Sequence, residues 1–361
     1  MTSNFANRYV SLTPEHTTAT GARTYGTKSA MTGHGAAAVF GEVDDESFAL
    51  NFDLLTRGDM SRYGARKSIN GKEYSEGGMN LVMQPDDTLG LLLYGLYGDN
   101  ATVNSAGYGI TGFVHTWKEA SDLVLPSFTI EVGREEKEHT YTGMCVSSVS
   151  INASHGEYAT ISADFTGRSE SAVSALTTPT FGGATLDGFH FANGTVTFSS
   201  TGGTSTVSTT IKSINLEFNM NLDTDAACSI GDRTYIRQPQ PQMREITGTV
   251  EFSVAQTSSA DANTPDYETA LATGGAIYDS GGSATHRAIE VAFSNGTQSL
   301  EIALTKVRWE APSQNVSGRD TSTLSMSFVA LLDQNDVMST IVLTHTTAST
   351  ILASGEKYSI A

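Results

Sequence analysis

Cysteine is almost absent from this chain of 361 residues: there are only Cys145 and Cys228. Two isolated thiols so far apart exclude a disulfide scaffold. They read as a small buried hydrophobe in a strand and a free thiol in a loop. Basic residues are also scarce, with 21 Lys and Arg against 39 Asp and Glu and a net charge of −18. The segment 1–40 holds Arg8, Arg23 and Lys28 against Glu15 alone, so the remainder carries −20. So acidic a surface offers too few cations to displace counterions from a nucleic acid, which excludes general nucleic-acid gripping. Long apolar runs are missing too. The longest, 89–97, is broken by glycines and is too short to span a bilayer. The first eight residues lack the apolar stretch of a secretory signal, which leads to the expectation of a protein made in a cytoplasm.

Catalytic and metal motifs are equally scarce. The eight histidines show no ligand spacing with one another or with cysteine. No nucleophile elbow, phosphate loop or dinucleotide fingerprint occurs. Asp53, Asp59, Asp86 and Asp87 supply a carboxylate pair only in the weak sense that any acidic β protein does. His115-Thr116-Trp117 reads as a packed strand cluster. Asp223-Thr224-Asp225 opens like a calcium loop but lacks its glycine and distal Glu. The sequence therefore predicts no enzyme, no cofactor and no metal.

What is present is a repeat. Charged residues are 17% of the chain, and Gly, Ser, Thr and Asn are plentiful, the composition of strands joined by turns. Segment 48–54 matches 214–220, 79–83 matches 250–254, 130–132 matches 289–291, and 161–165 matches 324–328, all in unbroken order. Pro85-Asp86 and Pro265-Asp266 each open a short helix, expected at 86–96 and 265–273. Five matches in order imply an internal duplication. The expected fold is mainly β: two tandem β-sandwich domains, each with one short flanking helix. The expected organisation is an arm at 1–46, a first domain at 47–168, a linker at 169–210, a second domain at 211–332 and an extension at 333–361.

Period-two alternation is clean in the second copy, where Ile214, Leu216, Phe218 and Met220 alternate with Asn215, Glu217 and Asn219. One face of such a strand meets a core and the other meets something wet. A long polar connection follows each first strand, at 55–78 and at 223–246. Connections of that length are usually functional. The first carries Arg57, Arg62, Arg66 and Lys67, the second Arg233, Arg237 and Arg244. Basic loops on an acidic protein suit contact with another copy of itself.

The order Pro85-Asp86-Asp87-Thr88-Leu89-Gly90-Leu91-Leu92-Leu93, His115-Thr116-Trp117, then Leu125-Pro126-Ser127-Phe128-Thr129-Ile130-Glu131 resembles the tail tube proteins of long-tailed bacteriophages. The resemblance covers about 45–170 and reaches 211–332 through the repeat. It implies a β-sandwich with one helix, a virion location, and subunits closing into stacked rings around a channel for DNA, in company with other tail proteins. With two domains per chain, a trimer with pseudo-sixfold symmetry is expected in place of a hexamer. DNA would pass without specific binding along a neutral or acidic lumen, for which Asn51, Asp53, Asn80, Asn215, Glu217, Asn219 and Glu251 are the candidates. Arg57, Arg62, Arg66, Lys67, Arg233, Arg237 and Arg244 are the ring-contact candidates. The competing readings are a tandem β-sandwich adhesin or carbohydrate-binding module, and a glycosidase on a β scaffold.

Overall fold

A computed structural model describes residues 8–15, 25–27, 38–58, 60–61, 63–98, 101–105, 113–119, 125–179, 181, 187–200, 206–207, 211–253, 287–310, 313–315 and 323–345. The first half holds β1 (Arg8–Pro14), β2 (Val39–Gly41), β3 (Asp45–Glu46), β4 (Ala49–Arg57), β5 (Lys67–Val82), α1 (Asp87–Tyr97), β6 (Ala101–Ser105), β7 (Phe113–Lys118), β8 (Phe128–Arg134), β9 (Lys137–Ser154), β10 (Thr160–Gly167) and β11 (Ser169–Ser174). The second holds β12 (Gly194–Ser200), β13 (Thr206–Val207), β14 (Ile211–Asn219), β15 (Leu222–Asp223), β16 (Gln240–Pro241), β17 (Glu245–Ser253), β18 (Arg287–Ser294), β19 (Ser299–Trp309), β20 (Ser313–Asn315), β21 (Thr323–Ala330) and β22 (Ser339–His345). The fold is mainly β, as the composition predicts. The second helix expected at 265–273 lies outside the described residues.

Strand pairing follows one order in the first half and the same order in the second. β2, β1, β8 and β9 are hydrogen-bonded in sequence, and so are β13, β12, β18 and β19. The far end of β9 continues to β10, β5 and β4, and the far end of β19 to β21, β17 and β14. β11 returns onto the start of β9, and β22 onto the start of β19. All these pairs are antiparallel. The register matches as well, except that the match expected between 48–54 and 214–220 shifts by two residues: Leu216, not Ile214, stands where Phe48 does, each opposite the glycine of the next strand. Met79 stands opposite Ala163 and Val250 opposite Met326, while Gly77 faces Phe165 and Gly248 faces Phe328. Both glycines sit where a side chain has no room, against different neighbours. A Cβ on Gly77, whose φ is +154°, would sit 2.5 Å from the Phe48 backbone, and one on Gly248 would sit 2.4 Å from the Phe328 ring.

Several expectations shift here. Residues 8–14, expected within an arm, form β1 and are buried beyond Arg8. Sequence periodicity hid this strand because both its faces are covered: Ser11 and Thr13 are as buried as Val10 and Leu12. Glu15 anchors its end, accepting hydrogen bonds from Ser127 Oγ at 2.6 Å, Gly26 N at 2.7 Å, Gly143 N at 2.8 Å and Thr129 Oγ1 at 3.0 Å. Burial pushes the Glu15 carboxyl up, against the pull of those donors. The stretch 169–210, expected as a linker, supplies β11, β12 and β13, and 339–345 supplies β22. The connection 55–78 is mostly strand, since β4 runs to Arg57 and pairs with β5 from Lys67 onward as a hairpin. Its counterpart at 223–246 is irregular, with one short ladder between β15 and β16.

Helix α1 is capped by Asp86, whose side chain accepts from Leu89 N at 3.0 Å. Every residue from Thr88 to Tyr97 is buried, so the helix is a plug wrapped on all sides, not a surface helix with one apolar stripe. Buried residues of both halves form one contiguous hydrophobic cluster. Continuity follows from two strand pairings across the halves. β14 lies along β9, with Leu216 opposite Ile151, and β22 lies along β7, with Leu343 opposite His115.

Candidate assembly surface

Strands β5, β10, β9, β14, β17 and β21 make one sheet, and alternation sorts its side chains. Leu81, Ile161, Ile151, Leu216 and Val250 point into the core. The opposite face is polar across all six strands. Asn80, Ser162, Ser150, Glu217 and Thr247 are cross-strand neighbours along one row. Asn152, Asn215, Thr249 and Ser327 form the next, and Ser154, Ser213, Glu251 and Ser325 the one beyond. Asp164, Ser148, Asn219 and Glu245 lie on the other side of the first row. None of these residues is Lys or Arg, although the first row continues through Val329 of β21 to the exposed Arg308 of β19. Short amide and hydroxyl groups hold one another: Asn215 Nδ2 donates to Asn152 Oδ1 at 2.5 Å, and Thr249 and Ser327 hydroxyls meet at 3.2 Å.

The sequence-derived polar candidates fall largely on this face. Asn80, Asn215, Glu217, Asn219 and Glu251 share it. Asn51 joins it at the β4 edge, where its Nδ2 donates to Glu76 Oε1 at 2.8 Å. Asp53 is exposed at the irregularity between Phe52 and Leu54. The contribution of β9 and β10, from Ser148, Ser150, Asn152, Ser154, Ser162 and Asp164, went unremarked in the sequence. Its signal was there, since Ser148, Ser150 and Asn152 alternate with Val149 and Ile151 as plainly as the β14 residues do.

The basic candidates separate. Arg57 and Lys67 pair at the end of the β4–β5 hairpin, with Arg66 N donating to Arg57 O at 3.0 Å; Arg62 is outside the described residues. That hairpin also carries exposed apolar side chains. Phe52, Leu54, Leu55 and Ile69 are each more than half exposed, and Met60 and Tyr63 are fully exposed. The loop 223–246 instead covers the first half of its own chain. Tyr235 is buried and stacks on Tyr74 with centroids 6.4 Å apart, beneath Lys72 Nζ at 4.9 Å. Glu73 N donates to Arg233 O at 2.8 Å, and Gln238 Nε2 to Leu125 O at 2.7 Å. Arg237 Nε donates to Ala226 O within the loop.

Arg244 is the most enclosed cation of the set. Its Nη1 lies 3.4 Å from Glu119 Oε1, its Nη2 donates to Leu96 O at the end of α1, and its guanidinium carbon lies 4.8 Å from the Tyr97 ring centre. Glu119 also accepts from Met338 N and Ser339 N at 3.2 and 3.0 Å and from the Ser339 hydroxyl. Arg244 therefore joins the two halves inside one chain. No local pattern marks Glu119 as its partner, because the two lie 125 residues apart and meet only in the fold.

A polar, cation-poor sheet face beside an exposed apolar hairpin describes a surface for assembly more than for chemistry. A family model described as phage tail tube protein matches residues 7–330, nearly the whole chain. The chain belongs to that family. No curated protein matches it. The tail tube family is structural, which gives the chain a place in the virion tail and self-association with other tail proteins around it. His115 fits this role. It is buried and stacked on Trp117 at 5.5 Å, a packed residue of β7. Among the described residues no cluster of His, Cys, Asp and Glu is arranged to hold a metal, and no helix is long and apolar enough to cross a membrane.

Proposed function

We propose that this chain is a tail tube subunit with two tandem tube domains, three copies of which close a ring of pseudo-sixfold symmetry. The rings stack into a conduit through which DNA passes during ejection. The observation that carries the reading is the repeated pairing order. The series β2–β1–β8–β9–β10–β5–β4 and β13–β12–β18–β19–β21–β17–β14 run strand for strand alike, with β11 and β22 added in the same place. On this reading each domain is larger than the sequence repeat suggested, since β1 and β11 belong to the first and β12 and β22 to the second.

The join between β9 and β14 supports ring formation. It is a head-to-tail contact between two alike units, and a contact of that kind closes into a ring when the rotation fits. Domain interfaces around the ring would alternate between this intrachain kind and an interchain kind. Closure removes the exposed sheet edges, as in a barrel. The polar face would line the channel. Its carboxylates outnumber its one marginal cation, Arg308, which suits a duplex that must slide without gaining counterion-release affinity. The exposed apolar hairpin supports burial against neighbours, each such side chain contributing about 1.5–3 kcal/mol when covered.

Negative-stain microscopy of the purified chain tests the assembly: tubes or stacked rings support it, and dispersed monomers at all concentrations refute it. Glu217→Lys and Asn215→Lys test the lumen. Tubes of the double variant should retain short duplex DNA at low salt and release it at high salt. Equal retention by wild-type tubes would remove these residues from the channel.

A further inference from the structure

The outer edge at the start of β4 is closed by side chains, where the matching edge of β14 is covered by a strand. Ser47 N donates inward to Gly78 O at 2.9 Å, so the backbone groups of Phe48 face away from β5. None of them is left bare. Phe48 N donates to Glu46 Oε2 at 3.0 Å. Phe48 O accepts from Arg134 Nη2 at 2.5 Å and from Tyr141 OH at 3.1 Å. Arg134 holds Glu46 with both arms, Nε at 2.9 Å and Nη2 at 2.8 Å. In the second half the pairing registers put Leu216 where Phe48 stands, and Ile214, Phe293 and Leu304 where Glu46, Arg134 and Tyr141 stand. Those three are apolar and buried. There the outward groups are taken by a strand, with Leu216 opposite Ile151 of β9.

We propose that the β4 edge is the docking strand for the β20 edge of a second copy, in the register β14 takes on β9, and that Arg134, Glu46 and Tyr141 form a removable cap on it. The inference rests on the ring reading and names its interchain seam. β20 is the counterpart of the β9 segment that receives β14. Ser150 and Asn152 stand opposite Ser162 and Thr160 of β10, as Ser313 and Asn315 stand opposite Ser325 and Thr323 of β21. Among the described residues β20 pairs with β21 alone and β4 with β5 alone, so each has an edge to give. Carrying the β9–β14 register across places Phe48 opposite Gln314, Ala49 opposite Ser313 and Ser47 opposite Asn315 of the second copy. The incoming backbone would supply the hydrogen bonds that Glu46, Arg134 and Tyr141 now supply. Side chains that satisfy an edge in the free chain protect it from random strand addition. They hold the subunit back until a correctly aligned edge arrives.

The register test uses Ala49→Cys with Ser313→Cys in a Cys228→Ser chain. Ala49 is exposed and lies at a non-hydrogen-bonded site toward the incoming strand, where paired Cα atoms come within disulfide reach. Oxidation of assembled particles should give a ladder of covalently joined chains on a non-reducing gel. Ala49→Cys with Gln314→Cys should give none. Assembled particles without the first ladder, or with both, overturn the seam while leaving the tube reading intact; absence of particles from the wild-type chain removes both. The cap is tested by Arg134→Gln and by Glu46→Ala, followed by light scattering. Either variant with a native far-UV spectrum should shorten the assembly lag several-fold. An unchanged or longer lag in the folded variants would mean that the three side chains merely finish the edge.

Discussion

Replacing Glu119 with Ala should be among the most damaging single changes in the chain, although the residue sits at a strand end with no catalytic part to play. Its side chain is about 10% exposed and that of Arg244 about 7%. Removing the carboxylate leaves a guanidinium enclosed by Tyr97 and the end of α1 without its ion partner. It also orphans the amides of Met338 and Ser339. Breaking one side of a buried pair typically costs about 3–5 kcal/mol, and each unsatisfied buried amide about 1–3 kcal/mol. These overlap, so about 3–5 kcal/mol is the working figure. Arg244→Met should cost less, because Glu119 keeps its three donors from Met338 and Ser339 while the methionine still packs on Tyr97. The double variant should cost clearly less than the two single losses added together. Urea unfolding of all four proteins, read by tryptophan fluorescence, gives the cycle. A loss below about 1 kcal/mol for Glu119→Ala, or strict additivity, would refute the reasoning.

Asp86 titrates in an observable window. Burial raises its carboxyl from 3.8 to about 6, against the hydrogen bond from Leu89 N. A carboxyl whose folded pKa is raised favours folding below its unfolded pKa and loses that contribution as pH rises through the folded one. Stability should therefore fall between about pH 4 and pH 6 relative to Asp86→Asn, which keeps a helix cap but does not titrate; parallel pH curves for the two proteins would contradict this. Charge reversal at Arg57 and Arg66 should weaken assembly more at low salt than at high salt, since screening weakens exposed charge contacts. Sedimentation that is insensitive to both the variant and the salt would exclude these arginines from the contact.

Much of the architecture could be read from the residues, and the misses have physical causes. Strands such as β14 and β21 alternate because one face is buried and the other is wet, and the eye finds them at once. β1 is buried on both faces, so its Ser11 and Thr13 disguise it as an arm. β11 and β12 are rich in Ser and Thr and gain their order from β9 and β18, partners far away in sequence. The polar face was legible strand by strand, but its continuity depends on the β9–β14 pairing, which no local pattern encodes. The two long connections looked alike because both are basic. The first became a hairpin with Leu54, Leu55 and Ile69 in the open, while the second folded onto its own chain through Tyr235 and Arg244. The Arg134–Glu46 pair spans separate strands and was invisible without the fold.

Ring stoichiometry tests the central claim most directly. Native mass spectrometry of isolated rings, combined with end-on image averages, counts chains and lobes on the same particle. The account predicts three chains and six similar lobes, with a lumen lined mainly by polar and acidic side chains in the reconstructed map. Six chains per ring, or a lumen lined by Lys and Arg, would contradict it.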